Sequence, residues 1–185
     1  VLITHNMGVV SEMAQRVGLL VPAGDRVMEP DLWRGLPRRM NLHVTRMYLE
    51  AATIDGERKM LDEELEPAAR RMAQVDPDLV IFGCTSAAAL LGLAGEADIV
   101  RRVERVTACR CLTVMGAAIQ EISQSSPKRL FIATPYVDEI NERLAATFRT
   151  AGFPVCGIVG MGLASEGAIG ALVPGDIRRF VVDAA

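Results

Sequence analysis

The sequence predicts an α/β protein with parallel sheets, on three observations. Six short apolar or β-branched runs alternate with helical patterns. The runs are apolar or β-branched, and alternating them with helices implies parallel sheets covered by helices. Most are bounded by Gly, Pro or Asp. The predicted strands are Val17–Val21, Leu42–Tyr48, Leu79–Phe82, Cys111–Val114, Leu130–Ala133 and Val155–Val159. Between them, Leu61, Leu65, Ala68 and Met72 draw one helical stripe, and Val137, Ile140, Leu144 and Phe148 draw another.

In such sheets ligands sit beyond the carboxyl ends of the strands, so the residues just after each strand carry the functional information. They read Pro22-Ala23-Gly24-Asp25, Gly83-Cys84-Thr85-Ser86, Thr134-Pro135-Tyr136 and Gly160-Met161-Gly162. Thr134 is expected to cap a helix with Pro135 in its first turn, and Thr85 or Ser86 to cap the segment from Ala87 to Leu91. A helix start offers free N–H groups to a carboxylate or phosphate. The residues alone thus point to a small-anion site beside a thiol.

Composition narrows the class. A chain of 185 residues with 50% hydrophobic and 23% charged residues can bury a sizeable core, and is not a disordered one. A net charge of −3 and an isoelectric point near 5.5 argue against a nucleic-acid or anionic-membrane partner. No apolar run approaches the ~18 residues that a membrane span needs. Four cysteines make no disulfide framework, and a cytoplasmic setting is expected. His5 and His43 are too far apart for a histidine zinc site, and Cys109-Arg110-Cys111 has no accompanying ligand cluster. Arg101-Arg102-Val103-Glu104-Arg105 reads as a solvated helix face, and Cys156 as core.

Two resemblances follow from longer motifs. Val1-Leu2-Ile3-Thr4-His5-Asn6 and the residues up to Val17 resemble the switch-histidine region of oligopeptide-type ABC transporter ATPases. The chain lacks a G-x-x-x-x-G-K-[ST] loop, so residues 1–16 are read as a fusion or gene-boundary remnant. From Arg16 onward, Val21-Pro22-Ala23-Gly24-Asp25, Val80-Ile81-Phe82-Gly83-Cys84-Thr85-Ser86 and Ala133-Thr134-Pro135-Tyr136-Val137-Asp138-Glu139 resemble the Asp/Glu racemase superfamily. The nearest branch is that of maleate cis–trans isomerase and arylmalonate decarboxylase.

The resemblance implies two similar Rossmann-like lobes, here 17–113 and 114–185, with a small carboxylate substrate between them. It implies an isomerase or racemase that needs no cofactor and works by cysteine chemistry next to a carboxylate. Cys84 matches the first active-site cysteine; the alternative is a small core thiol. A helix start is expected to lower its pKa and make it the most reactive of the four thiols. Thr85, Ser86 and Tyr136 match hydroxyls that bind substrate carboxylate, against the alternative that they cap and pack.

The chain also departs from the family pattern. Asp25 stands where Asn is usual, and Glu166 where an Asn often touches substrate. Two extra carboxylates disfavour a dianion unless Asp25 is protonated or Arg26 compensates, and favour a substrate with one carboxylate and a neutral or amino group. Nothing matches the family's second cysteine. Ala185 falls within what reads as the helix before that cysteine's strand. The second lobe is therefore expected to be incomplete, with little turnover and a tendency to homo-oligomerise. Decarboxylation of a substituted malonate, or an inactive ligand-binding domain, are the rival readings.

Overall fold

The computed structural model describes residues 14–184. The N-terminal segment from Val1 to Met13, His5 included, lies outside the described residues. The described chain holds a four-stranded parallel sheet and a two-stranded parallel sheet. The first comprises β1 (Arg16–Pro22), β2 (Asn41–Met47), β3 (Leu79–Phe82) and β4 (Arg110–Thr113), in the order β2-β1-β3-β4. The second pairs β5 (Leu130–Tyr136) with β6 (Val155–Leu163). All six strands fall where the apolar runs place them.

Helices cover both faces of the larger sheet. Val17, Leu19 and Val21 of β1, with Leu79 and Ile81 of β3, pack with Leu32 of α1 (Met28–Gly35). Leu20, Val80 and Phe82 face the other way. There they meet α2 (Ile54–Glu63), α3 (Leu65–Ala73), α4 (Thr85–Leu90) and α5 (Gly92–Thr107). Leu144 and Phe148 of α7 (Asp138–Thr150) belong to the same cluster, so one core joins the two sheets. The remaining helices are α6 (Val114–Ser125), α8 (Glu166–Gly170) and α9 (Pro174–Ala184).

Four local expectations are corrected. The stripe Leu61, Leu65, Ala68 and Met72 is buried throughout, but it runs over two helices that meet at Glu64. Pro67 is the cause: it has no N–H to return to the Glu63 carbonyl and its ring crowds that carbonyl. Thr134 caps no helix. β5 continues through Pro135 to Tyr136, and α7 starts only after Val137. Pro135 is tolerated because it sits at a register shift in a two-stranded sheet. Likewise, Gly160-Met161-Gly162 lies inside β6 rather than after it. Cys156 is exposed, not core, because it points away from the shared cluster; its thiol donates to the Leu130 carbonyl over 3.4 Å.

The arginine-rich helix face is only partly solvated. Arg102 reaches across to α3 and makes a two-pronged ion pair with Glu66, both bonds 2.7 Å, while Arg101 stays exposed. Among the described residues no helix is long and apolar enough to cross a membrane.

Candidate functional site

The sheet order fixes where a site can form. From β1 the chain passes first to β2 on one side, then to β3 on the other. The carboxyl ends of β1 and β3 therefore flank a topological switch point, where parallel sheets open a crevice. The β1 loop brings Asp25 to that crevice, the β3 loop brings Cys84, and the first turn of α4 brings Thr85 and Ser86. Tyr136, from the end of β5, and Glu166, from the start of α8, enter from the smaller sheet. All six line one cavity of about 300 Å³ with Met28, Asp31, Leu32, Val114 and Ile169. That volume suits a small organic acid.

Two glycines allow the close approach. A Cβ on Gly83 would meet the Met28 sulfur at 2.5 Å and Val21 at 2.8 Å, so a larger residue there would have to push both side chains aside where β3 turns under α1 into Cys84. A Cβ on Gly24 would meet that of Glu166 at 2.5 Å, which is how tightly the β1 loop lies against α8.

Cys84 is the residue before α4 and is buried. Neither Thr85 nor Ser86 caps that helix; α4 has no side-chain cap, and Ser86 turns inward instead. The thiol is not the acidified one that a helix start suggests. Burial pushes its pKa well above the ordinary thiol value, and the neighbouring Glu57 carboxylate adds to the rise. The Ser86 hydroxyl and the Ala87 N–H oppose this and do not overcome it.

Glu57 is the member of this cluster that the sequence reading missed. It sits in the first turn of α2 and is fully buried. The Ser86 hydroxyl donates to its Oε1 over 2.5 Å, and the Cys84 thiol donates to its Oε2 over 3.4 Å. Cys84 Sγ and Ser86 Oγ are themselves 3.4 Å apart, closing a three-membered cluster. Burial pushes the Glu57 carboxyl up to about 7, against the hydrogen bonds from Ser86 and Cys84; the Glu166 charge adds to the rise. The signal was available: Glu57 lies one helical step of four before Leu61, so the apolar stripe of α2 has a carboxylate on it.

The other acids are held differently. Asp25 accepts from the N–H groups of Val27, Met28 and Glu29 at 3.2 to 3.4 Å, so its charge is met by the start of α1 rather than by Arg26. Glu166 is raised above the usual carboxylate range by burial and by Asp25. Burial, with Cys84 and Glu57 close by, raises the Tyr136 phenol too, which keeps it protonated and a donor. Its strand end is clamped by Asn141, whose side-chain N–H donates to the Tyr136 carbonyl at 3.2 Å and whose Oδ1 accepts from Thr134 at 2.5 Å. Among the described residues no Lys or Arg lines this cavity. Among the described residues no group of His, Cys, Asp and Glu could hold a metal ion.

A parallel α/β chain with a ligand-sized cavity built around one thiol is a well-defined class of small-molecule site. The chain belongs to the arylmalonate decarboxylase family, whose sequence pattern matches residues 17–184. It is 24% identical over 152 residues to a maleate isomerase of Pseudomonas putida, covering 76% of this chain and 60% of that protein. It is 25% identical over 130 residues to an arylmalonate decarboxylase of Bordetella bronchiseptica, covering 70% and 53%. The chain thus spans little more than half the length of these relatives. Its fold superposes on the Nocardia farcinica maleate cis-trans isomerase with a TM-score of 0.83 at 19% identity, over 91% of this chain and 72% of that one. That structure is a cysteine-to-serine variant holding a covalently bound succinylcysteine intermediate.

Proposed function

We propose that residues 17–113 and 114–185 form the two lobes of a cysteine-dependent isomerase or racemase that needs no cofactor and acts next to a carboxylate of a small acid. The supporting observation is the cavity itself: Cys84 at a switch point, between the hydroxyls of the helix turn that follows it and the Tyr136 phenol opposite. In this reading Cys84 adds to, or exchanges a proton with, the carbon beside the carboxylate. Thr85, Ser86 and Tyr136 donate to the carboxylate and steady the enediolate that forms on it. The succinylcysteine of the Nocardia relative supports addition as the first step. Asp25 and Glu166 line the cavity, with no Lys or Arg among its described lining residues, while Asp31 is paired with Arg34 at 2.5 Å; a substrate with one carboxylate and a neutral or amino group therefore fits better than a dianion.

The test is incubation with maleate, with monoamide and amino analogues, and with an arylmalonate, in deuterated buffer. Mass mapping of Cys84 and NMR of the acids are the readouts. A Cys84 adduct or deuterium incorporation that Cys84→Ala abolishes supports the reading. Carbon dioxide release from the arylmalonate would move it to decarboxylase. Exchange or isomerisation that survives Cys84→Ala would overturn it.

A further inference from the structure

The site holds a group for which thiol chemistry at one carbon has no evident use: a fully buried carboxylate in contact with the reactive sulfur. Glu57 accepts from two donors, the Ser86 hydroxyl on one oxygen and the Cys84 thiol on the other. In its ionised form the carboxyl accepts from both of these donors, and the proton then stays on sulfur. Thiolate formation beside it would then place two anions in one buried cluster, which low dielectric makes costly. The cost disappears if the proton leaving sulfur goes to the carboxylate, because the pair then carries one negative charge before and after.

We infer that Glu57 is the base that takes the Cys84 proton, with Ser86 holding it in place, so that Cys84, Glu57 and Ser86 work as a triad. This rests on Cys84 being the reacting thiol. In addition to an alkene, the S–H bond breaks and its proton passes to Glu57 Oε2. The sulfur pair forms the C–S bond, and the π pair moves onto the neighbouring carboxylate as an enediolate. After rotation the enediolate pair restores the double bond, the C–S bond breaks, and the thiolate recovers its proton from Glu57. Atoms and charge balance without any further reactant. Among the described residues, the groups facing Glu57 are Cys84 from the β3 loop, Ser86 from α4, Tyr136 from β5 and Glu166 from α8. None is a cation that would acidify the thiol in its stead.

A base and a mere anionic neighbour predict opposite signs. Chloroacetamide is a small uncharged alkylating probe, and its rate at Cys84 is read by peptide mass mapping from pH 5 to 9. It is not a carboxylic acid, so the outcome is separate from whether the chain turns one over. The wild-type rate is expected to rise around pH 7 and then level off. Glu57→Gln should lower the rate at pH 7.5 at least tenfold and remove that step, leaving a steep alkaline climb. A Glu57→Gln rate equal to or above wild type, as relief of like-charge repulsion would give, overturns the inference. So does a folded wild type in which Cys84 stays unlabelled up to pH 9. Should Glu57→Gln not fold, Ser86→Ala carries the test: loss of the hydroxyl bond to Oε1 should move the step to higher pH. An unmoved step counts against the triad.

Discussion

The two sheets are built from similar strands and are held in different ways. In the larger one, β1 and β3 are buried almost end to end, with helices on both faces. In the smaller, β5 and β6 are mostly half-buried, Phe131 is 45% exposed, and α9 has no buried residue. The thiol, its hydroxyls and Glu57 hang on the first scaffold; Tyr136 and Glu166 hang on the second. The half of the cavity that carries Cys84 is therefore the more densely packed, and the half that carries Tyr136 and Glu166 rests on fewer contacts. If so, equal truncations should cost unequally. Phe82→Ala, at a fully buried position, is expected to cost about 3–5 kcal/mol of unfolding free energy by denaturant titration. Phe131→Ala should cost under about 1 kcal/mol. Similar costs at the two positions would erase the distinction.

The pH dependence of stability sharpens the same contrast. The Glu57 carboxyl is pushed up to about 7 in the folded protein from the ordinary range near 4.5. A carboxyl raised on folding favours the folded state while it is protonated. That contribution is fully present below the unfolded value and is lost as pH rises through about 7. The stability of the wild type relative to Glu57→Gln should thus fall by about 3 kcal/mol between pH 4.5 and 8. Glu166, on the thinner side and only partly buried, should give the same sign and a smaller change in Glu166→Gln. A flat Glu57 difference would mean that the carboxylate is well solvated, and the triad would lose its basis.

Much of this was legible in the residues. The strands were, because a buried parallel strand such as Leu79–Phe82 leaves an unbroken apolar run, and the others are β-branched runs set between turn residues. Five cavity residues, Asp25, Cys84, Thr85, Ser86 and Tyr136, were named in advance because the carboxyl ends of such strands offer few candidates, and Glu166 was named from the family resemblance. Cap and turn chemistry was read less well. Thr134-Pro135 looks like a helix start by local preference, but pairing with β6 extends the strand past it. Cys84 looks acidified for the same local reason, until burial and a carboxylate from a distant helix reverse the direction. Glu57 lies 27 residues from Cys84 in sequence, and only the packing of α2 against the β3 loop brings them together. Such non-local contacts leave at most a hint in the sequence, here a charge on an apolar stripe.

The smallest expected effect tests how the two halves treat their acids. Asp25, on the firm side, is satisfied by three N–H groups at the start of α1; Glu166, on the other, is raised by burial and by Asp25 itself. Asn caps a helix start about as well as Asp, so Asp25→Asn should change the thermal transition by no more than a few tenths of a kcal/mol. Removing the charge has two further consequences at the cavity. Glu166 loses the like charge that raises it, so it should titrate at lower pH, which NMR of the side-chain carboxyl can read. A dicarboxylate should bind more tightly, because one of the acids it must approach is gone. Weaker dicarboxylate binding by calorimetry in Asp25→Asn would give Asp25 the opposite role, that of a partner to a positively charged group on the ligand. An unmoved Glu166 would show that the β1 loop and α8 are electrostatically separate despite their close packing. The cavity would then be two independent half-sites, not one field shared across the sheets.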